Sequence, residues 1–241
     1  MDLQNTTLIF ADGASSGNPG PGGWGSIVVS PDGQVTELGG REPQTTNNRM
    51  ELMAVIGALR WLKGKSGAVT VATDSTYVIR GITQWIFGWM KKSWITAEGK
   101  EVSNTDLWKA LYSLVADRGK ENKVSWRYVR GHSGIPGNER VDEIAVLFSK
   151  GKRADLYQGP LLSYGIAIHD LPEDTGLPEM RPKDAGPKPK AHCYLSLVNG
   201  DLKRHSTWPE CEAVVKGRPG ARFKKAMNAD EEKAILKEWG L

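Results

Sequence analysis

Four carboxylates occupy positions where a carboxylate is awkward. Asp12 and Asp74 each end a short apolar run, Thr7–Ala11 (TLIFA) and Ala68–Thr73 (AVTVAT). Glu51 shares a helical face with Val55, Ala58 and Leu62, following the 3.6-residue period. Asp142 stands one turn before Ala145 and Val146 on an otherwise apolar helix face. Each has an ordinary reading by itself: an Asp after a strand commonly forms a turn or caps a helix, and Glu51 fits a partly exposed helix edge. Taken together they suggest one meeting point, since open α/β sheets gather their ligands at strand ends. Four bare carboxylates there would repel and raise one another's pKa values. Their charge matches two divalent cations, and hard oxygen donors favour Mg²⁺, with Mn²⁺ as the alternative. Two such ions ~3.5–4 Å apart suit in-line phosphodiester displacement.

The elements that must position these acids follow from patterning. Strands are predicted near 7–11, 26–30, 34–38, 68–73 and 123–129, and helices near 47–63, 75–82, 104–118 and 138–150. Residues 13–25 read as a Gly/Ser/Pro-rich turn and 131–137 as a Gly-rich loop. The order β-β-β-α-β-α-α-β-α is mixed α/β. A first domain is expected over 1–150. Residues 151–190, with Pro160, Pro172, Pro178, Pro182, Pro187 and Pro189, read as a linker. A small α+β domain over 191–241 follows: strand, Asn199-Gly200 turn, strand, helix, strand, helix. Its first helix is bounded by Pro209 and Gly217, and its last is opened by Asn228 with Glu231.

The 241 residues are 39% hydrophobic and 25% charged, ordinary for a globular chain. The net charge of +4 permits an anionic partner, and residues 190–241 hold ten Lys and Arg against seven Asp and Glu. There is no apolar run of ~18 residues and no signal-like start, so no membrane association is expected. Cys193 and Cys211 make no disulfide framework, and a reducing, cytoplasmic setting and a monomeric state are expected.

Rival chemistries fit less well. Gly20–Gly25 is formally GxGxxG but leads into a strand pattern, SIVVS, where a dinucleotide site needs a helix. No P-loop occurs. A proofreading-type exonuclease would want Asp-x-Glu where the chain has Asp12-Gly13-Ala14. A non-enzymatic binding protein would tolerate loss of the four acids, yet all are present.

The ordered motifs resemble bacterial ribonuclease HI over residues ~7–150. They are Asp12-Gly13 with Gly17–Gly23 (GNPGPGG), Thr45–Leu52 (TTNNRMEL), Thr73-Asp74-Ser75, Gly81–Trp85 (GITQW) and Val129–Asp142 (VRGHSGIPGNERVD). The resemblance implies an α/β ribonuclease H-like mixed five-stranded sheet with flanking helices. It also implies an endonuclease that hydrolyses the RNA strand of RNA–DNA hybrids with two Mg²⁺ ions, leaving 3′-hydroxyl and 5′-phosphate ends. Asp12, Glu51, Asp74 and Asp142 would be the catalytic metal ligands, and His132 would assist proton transfer or product release.

By the same resemblance Asn18, Asn47, Asn48 and Thr76 would contact the hybrid, and Thr46 the DNA phosphate. Trp85, Trp89, Lys91, Lys92 and Trp94 match the family's basic protrusion, although a Trp-rich core helix would look alike. Ala11, Ser15 and Thr76 depart from the family's usual Thr, Cys and Gln. The tail, Thr207–Cys211 (TWPEC) with Val215, Gly217 and Pro219–Lys225 (PGARFKK), resembles a viroplasmin-like module that binds hybrid or double-stranded RNA. There Trp208, Arg222, Phe223, Lys224 and Lys225 would contact nucleic acid. Lys224-Lys225 also reads as a solvated strand end, and Cys211 as a small buried apolar residue.

Overall fold

The apolar run around Phe10 extends over Thr6–Ser15 (β1) and lies inside a mixed sheet. On one side β1 pairs in parallel with β4 (Ala68–Thr73), which pairs in parallel with β5 (Val124–Tyr128). On the other side it pairs antiparallel with β2 (Gly20–Val29), which is followed by β3 (Gln34–Thr45) and β6 (Gln158–Pro160). The computed structural model describes residues 5–172, 176–179, 191–215, 218 and 220–241. The predicted Gly217 helix exit, Pro219 and residues 180–190 of the predicted linker lie outside them.

Helices cover both faces of the sheet. Ile9, Ala11, Val28, Val69 and Val71 pack with Leu52, Val55 and Leu59 of α1 (Asn47–Trp61) on one face. Also on that face are α2 (Thr76–Arg80), α3 (Ile86–Lys91) and α4 (Thr105–Asp117), the last carrying the fully buried Trp108. A π-helical turn, Gly81–Trp85, joins α2 to α3, so the helix expected over 75–82 runs on. On the other face Leu8, Phe10, Ile27, Val29 and Ala72 pack with Val141 of α5 (Pro136–Ser149).

Two expectations change. The stretch read as a turn over 13–25 is largely strand, because its glycines answer to helix packing across the sheet. A Cβ on Gly25 would lie 2.5 Å from the Val141 carbonyl oxygen of α5. One on Gly13 would fall inside the van der Waals envelope of the Glu51 backbone nitrogen of α1. The sheet also has six strands where five were expected, because Gln158–Pro160 pairs with Thr36–Gln34. Pro160 sits on the edge strand, where a missing N–H costs no ladder bond.

The chain divides into two compact units, Met1–Pro178 and Glu179–Leu241. The second unit is a three-stranded antiparallel sheet in the order β8 (Asp201–His205), β7 (Cys193–Val198), β9 (Arg222–Ala226). α6 (Trp208–Val215) packs Cys211 and Val215 against Val198, while α7 (Ala229–Trp239) packs Ile235 and Trp239 against Leu195 and Ala226. Asn228 caps α7 by accepting the Glu231 N–H at 2.8 Å. Both cysteines are free and buried.

Gly25→Ala is expected to lower stability by about 1–3 kcal/mol in urea unfolding, since the inserted methyl meets helix backbone that cannot swing aside. Gly88→Ala, where a Cβ meets nothing within 4 Å, is expected to be neutral or stabilising by up to about 1 kcal/mol, as Ala replaces Gly within a helix.

Candidate active site

The register of β1 and β4 sets two acids side by side: Asp12, which lies within β1 and not at its end as expected, and Asp74, which follows β4. Phe10 pairs with Ala72, so Asp12 and Asp74 lie two residues beyond the same rung. Phe10 and Ala72 belong to the α5-side core, and strand alternation directs Asp12 to that face as well. Glu51 arrives from α1 on the other face. It comes close because Gly13 presents no side chain to the start of α1. Asp142 and Asn138 are one turn apart on α5, and Asn138 hydrogen-bonds the Asp74 carboxylate.

The acids feel one another. Asp12 is 8% exposed, accepts the Gly13 N–H at 2.7 Å, and has Asp74, Asp142 and Glu51 as electrostatic neighbours. Burial and then the Asp74 charge push its carboxyl up to about 8. Burial also raises Glu51, against hydrogen bonds from Ser75 Oγ (2.5 Å) and Asn47 Nδ2 (3.0 Å). Burial raises Asp74 too, opposed by the Asn138 hydrogen bond and the nearby His132. His132 itself is exposed on the loop after β5, with φ of 50°. Among the described residues, only His192, Cys193 and Glu232 hold three metal-ligand atoms all within 4.8 Å of one another. No three of the four acids come that close together. Glu232 already forms an ion pair with Arg204.

Other expected contact residues fall into distinct groups. Asn47 joins the acids directly, and its backbone N–H reaches Asn18 Oδ1 at 3.3 Å. Thr46 is the N-cap of α1, its hydroxyl accepting the Arg49 N–H. Asn48, Lys91 and Lys92 are exposed, and Thr76 is half-buried at the start of α2. Trp85, Trp89 and Trp94 are half-buried and form one aromatic cluster that Trp89 joins to Trp108 at 5.4 Å. Lys109 covers the Trp94 ring at 5.4 Å. The tryptophans thus pack against one another and the core, while Lys91 and Lys92 stay exposed.

In the second unit, Trp208 and Phe223 are 37% and 50% exposed with ring centroids 5.3 Å apart. Phe223 and Lys225 alternate with Arg222 and Lys224 along β9. Lys224 is held by Glu238 at 2.6 Å and Arg222 lies over the Trp239 ring at 5.2 Å. Sequence reasoning missed Asn138 and Ser75. Asn138 was signalled only by its i,i+4 spacing to Asp142, and Ser75 only by its place after Asp74.

A family description for RNase H matches residues 4–149. The chain belongs to the ribonuclease H family. Named relatives agree and fix its class as a ribonuclease H enzyme. The ribonuclease H of Cyanothece sp. is 51% identical over 151 residues, covering 62% of this chain and 93% of that protein. That of Paracidovorax citrulli is 55% identical over 141 residues, covering 58% and 92%. The Thermosynechococcus vestitus ribonuclease H is 51% identical over 176 residues, covering 72% of this chain and all of the relative. A match of that coverage passes residue 170 even if it begins at residue 1. Among solved structures, LC9-RNase H1, described as a type 1 RNase H with the type 2 active-site motif, superposes with a TM-score of 0.55. It is 33% identical, covering 64% of this chain and 78% of that one. No helix among the described residues is long and apolar enough to cross a membrane.

The raised Asp12 carboxyl has a consequence for stability. Between its unfolded value near 3.8 and about 8, the folded enzyme binds more protons than the unfolded chain, so stability is greatest below that window and falls as pH rises through it. Without divalent cations, Asp12→Asn should therefore unfold at a higher temperature than wild type at pH 8, by about 2–4 °C for each kcal/mol of strain relieved. The gap should close on acidification below the unfolded value. Thermal unfolding across pH in EDTA measures both.

Proposed function

We propose that this ribonuclease H hydrolyses the RNA strand of RNA–DNA hybrids at the four-carboxylate site, leaving 3′-hydroxyl and 5′-phosphate ends. The convergence of Asp12, Glu51, Asp74 and Asp142 carries the reading. Family members depend on divalent metal, and the residues here fit such ions. The donors are all hard oxygens, and burial raises three of the acids above their ordinary carboxylate values, a cost that cations would offset. Beside Asp74 the buried Asn138 Oδ1 lacks a hydrogen-bond partner.

Asp12 and Asp74 would anchor two Mg²⁺ ions, Glu51 would orient the site near the 2′-hydroxyl, and Asp142 would complete the second metal's donors. Bound there, the ions supply an activated water and neutralise charge on the leaving oxygen. The remaining tasks fall to the chain. Ser75 and Asn47 hold both Glu51 oxygens, fixing which lone pairs face the site. Asn138 orients Asp74. Asn47 bonds Glu51 and Asn18 bonds Asn47, so their amide groups can read the 2′-hydroxyls that mark an RNA strand. His132, exposed and close to Asp74, is placed to carry a proton away from the site. Lys91 and Lys92 offer cations to the backbone phosphates.

We further propose that the second unit grips nucleic acid through Trp208, Phe223 and Lys225. The exposed aromatic pair favours this, since bases and sugars stack on such faces. Arg222 and Lys224 are committed to Trp239 and Glu238.

With a labelled hybrid and Mg²⁺, Asp74→Asn is expected to lower kcat by at least about 1,000-fold, since ligands acting as a unit are lost together. Its unfolding temperature should not drop. Wild-type turnover in that variant would overturn the mechanism, and binding without cleavage by the wild type would favour the non-enzymatic rival.

Removing residues 190–241 is expected to raise KM on long hybrids and flatten its salt dependence, because the tethered unit adds local concentration. Trp208→Ala should reproduce much of the KM effect and Lys224→Ala little of it. Equal KM and salt slope in the truncated chain would count against the second unit's role.

A further inference from the structure

The family match stops at residue 149, but the chain continues across the same unit. Arg140 Nη2 donates to the Asp155 carbonyl at 2.8 Å, and β6 then extends the sheet beside β3. The Tyr157 and Tyr164 rings lie 4.9 Å apart, and Ile168, 2% exposed, joins the α5-side core. Residues 155–168 form a strap.

The strap closes on one buried charge. The Glu37 side chain of β3 is fully buried. Its Oε1 accepts from Arg140 Nε at 2.8 Å and from the Tyr164 hydroxyl at 2.6 Å. Its Oε2 accepts from Arg140 Nη2 at 2.9 Å and from the Tyr157 N–H at 3.0 Å. A buried carboxylate with four donors is fully compensated, whereas losing a donor leaves charge exposed to a low-dielectric interior. Arg140 sits midway between Asn138 and Asp142 on α5, so the anchored side chain lies across the helix from the two that face the acids. Beneath α5, Gly25 and Gly39 give the helix a smooth floor. Such a floor permits close approach at these two rungs, where no sheet side chain holds the helix, while Phe10 contacts it farther along at Gly137.

We propose that Tyr164, Glu37 and Arg140 are positioning residues: the strap pegs α5 to β3 and thereby holds Asn138 and Asp142 in register with Asp74. The proposal rests on the metal-ligand reading of Asp142 given above. It makes the strap beyond residue 149 part of the working site.

The test uses full-length wild type, Tyr164→Phe, Glu37→Gln and Asp142→Asn. Mn²⁺ binding is followed by the electron paramagnetic resonance of free Mn²⁺, well below every unfolding midpoint. Circular dichroism and Mg²⁺-dependent hybrid cleavage are recorded alongside. Tyr164→Phe should weaken Mn²⁺ binding about threefold, the effect of one lost hydrogen bond. Glu37→Gln should weaken it about tenfold or more, as for other lost supports of ligating carboxylates. The Mg²⁺ concentration for half-maximal activity should shift by the same factors, with hybrid KM at saturating Mg²⁺ and the dichroism spectrum unchanged. Wild-type Mn²⁺ affinity in both variants would overturn the proposal. If Glu37→Gln fails to fold, Tyr164→Phe, which loses only a hydroxyl, decides alone. Should Asp142→Asn bind Mn²⁺ as wild type does, the metal reading itself falls and takes this proposal with it. Weakened binding in Asp142→Asn with wild-type binding in the other two isolates the failure to the strap.

Discussion

Backbone approaching backbone without an intervening side chain is the constraint on which this structure turns. Helices ordinarily lie far enough from a sheet to accommodate the side chains between them. Here α1 and α5 both come closer, at Gly13 and at Gly25. Because the two helices cover opposite faces, their acids can meet only where Asp12 of β1 lies beside the end of β4, and only if both helices lie low. Glu51 and Asp142 then reach Asp12 and Asp74 around the end of the sheet. A single methyl at either glycine would separate the acids proposed here to share a pair of cations.

Concentrating acids this way opposes folding. Desolvation and mutual repulsion leave Asp12 protonated to about 8, so the site in isolation is a local source of instability. The surrounding contacts offset it. Apolar clusters on both faces of the sheet are nearly solvent-free, and Ser75 and Asn47 satisfy Glu51 without neutralising it. The arrangement resembles many ligand sites in which an unfavourable native charge distribution is relieved only by what binds there. Affinity for cations and strain in their absence are then two expressions of the same electrostatics.

The acids were legible in the sequence because each violated a local pattern: a carboxylate closing an apolar strand, or one on an apolar helix face. Periodicity likewise placed the cores of β1, β4, β5, α1, α4 and α5. What stayed hidden was set by tertiary contact. Gly23 and Gly25 look like a turn, yet they are strand residues whose missing side chains are required by a helix more than 100 residues away in the chain. Asn138 and Ser75 are ordinary polar residues until Asp74 and Glu51 are beside them. The prolines of 151–190 suggested a tether, but Pro160 ends an edge strand and Tyr157 and Tyr164 fold back onto Glu37. Nothing local marks a tyrosine as the partner of a glutamate on a strand 127 positions earlier.

Glu37 also shows why a family boundary need not coincide with a physical one. The family match ends with α5, yet a fully buried carboxylate inside that region is compensated in part from outside it. A chain cut at the motif boundary would keep every acid of the site while leaving Glu37 with Arg140 alone. Paired burial of this kind is retained where it fixes geometry more than where it adds stability, since apolar replacements of similar volume often stabilise as well or better. On that reasoning, the ion pair beneath the strap is explained by the register it imposes on α5, and the strap belongs to the site in the same sense as the glycines do.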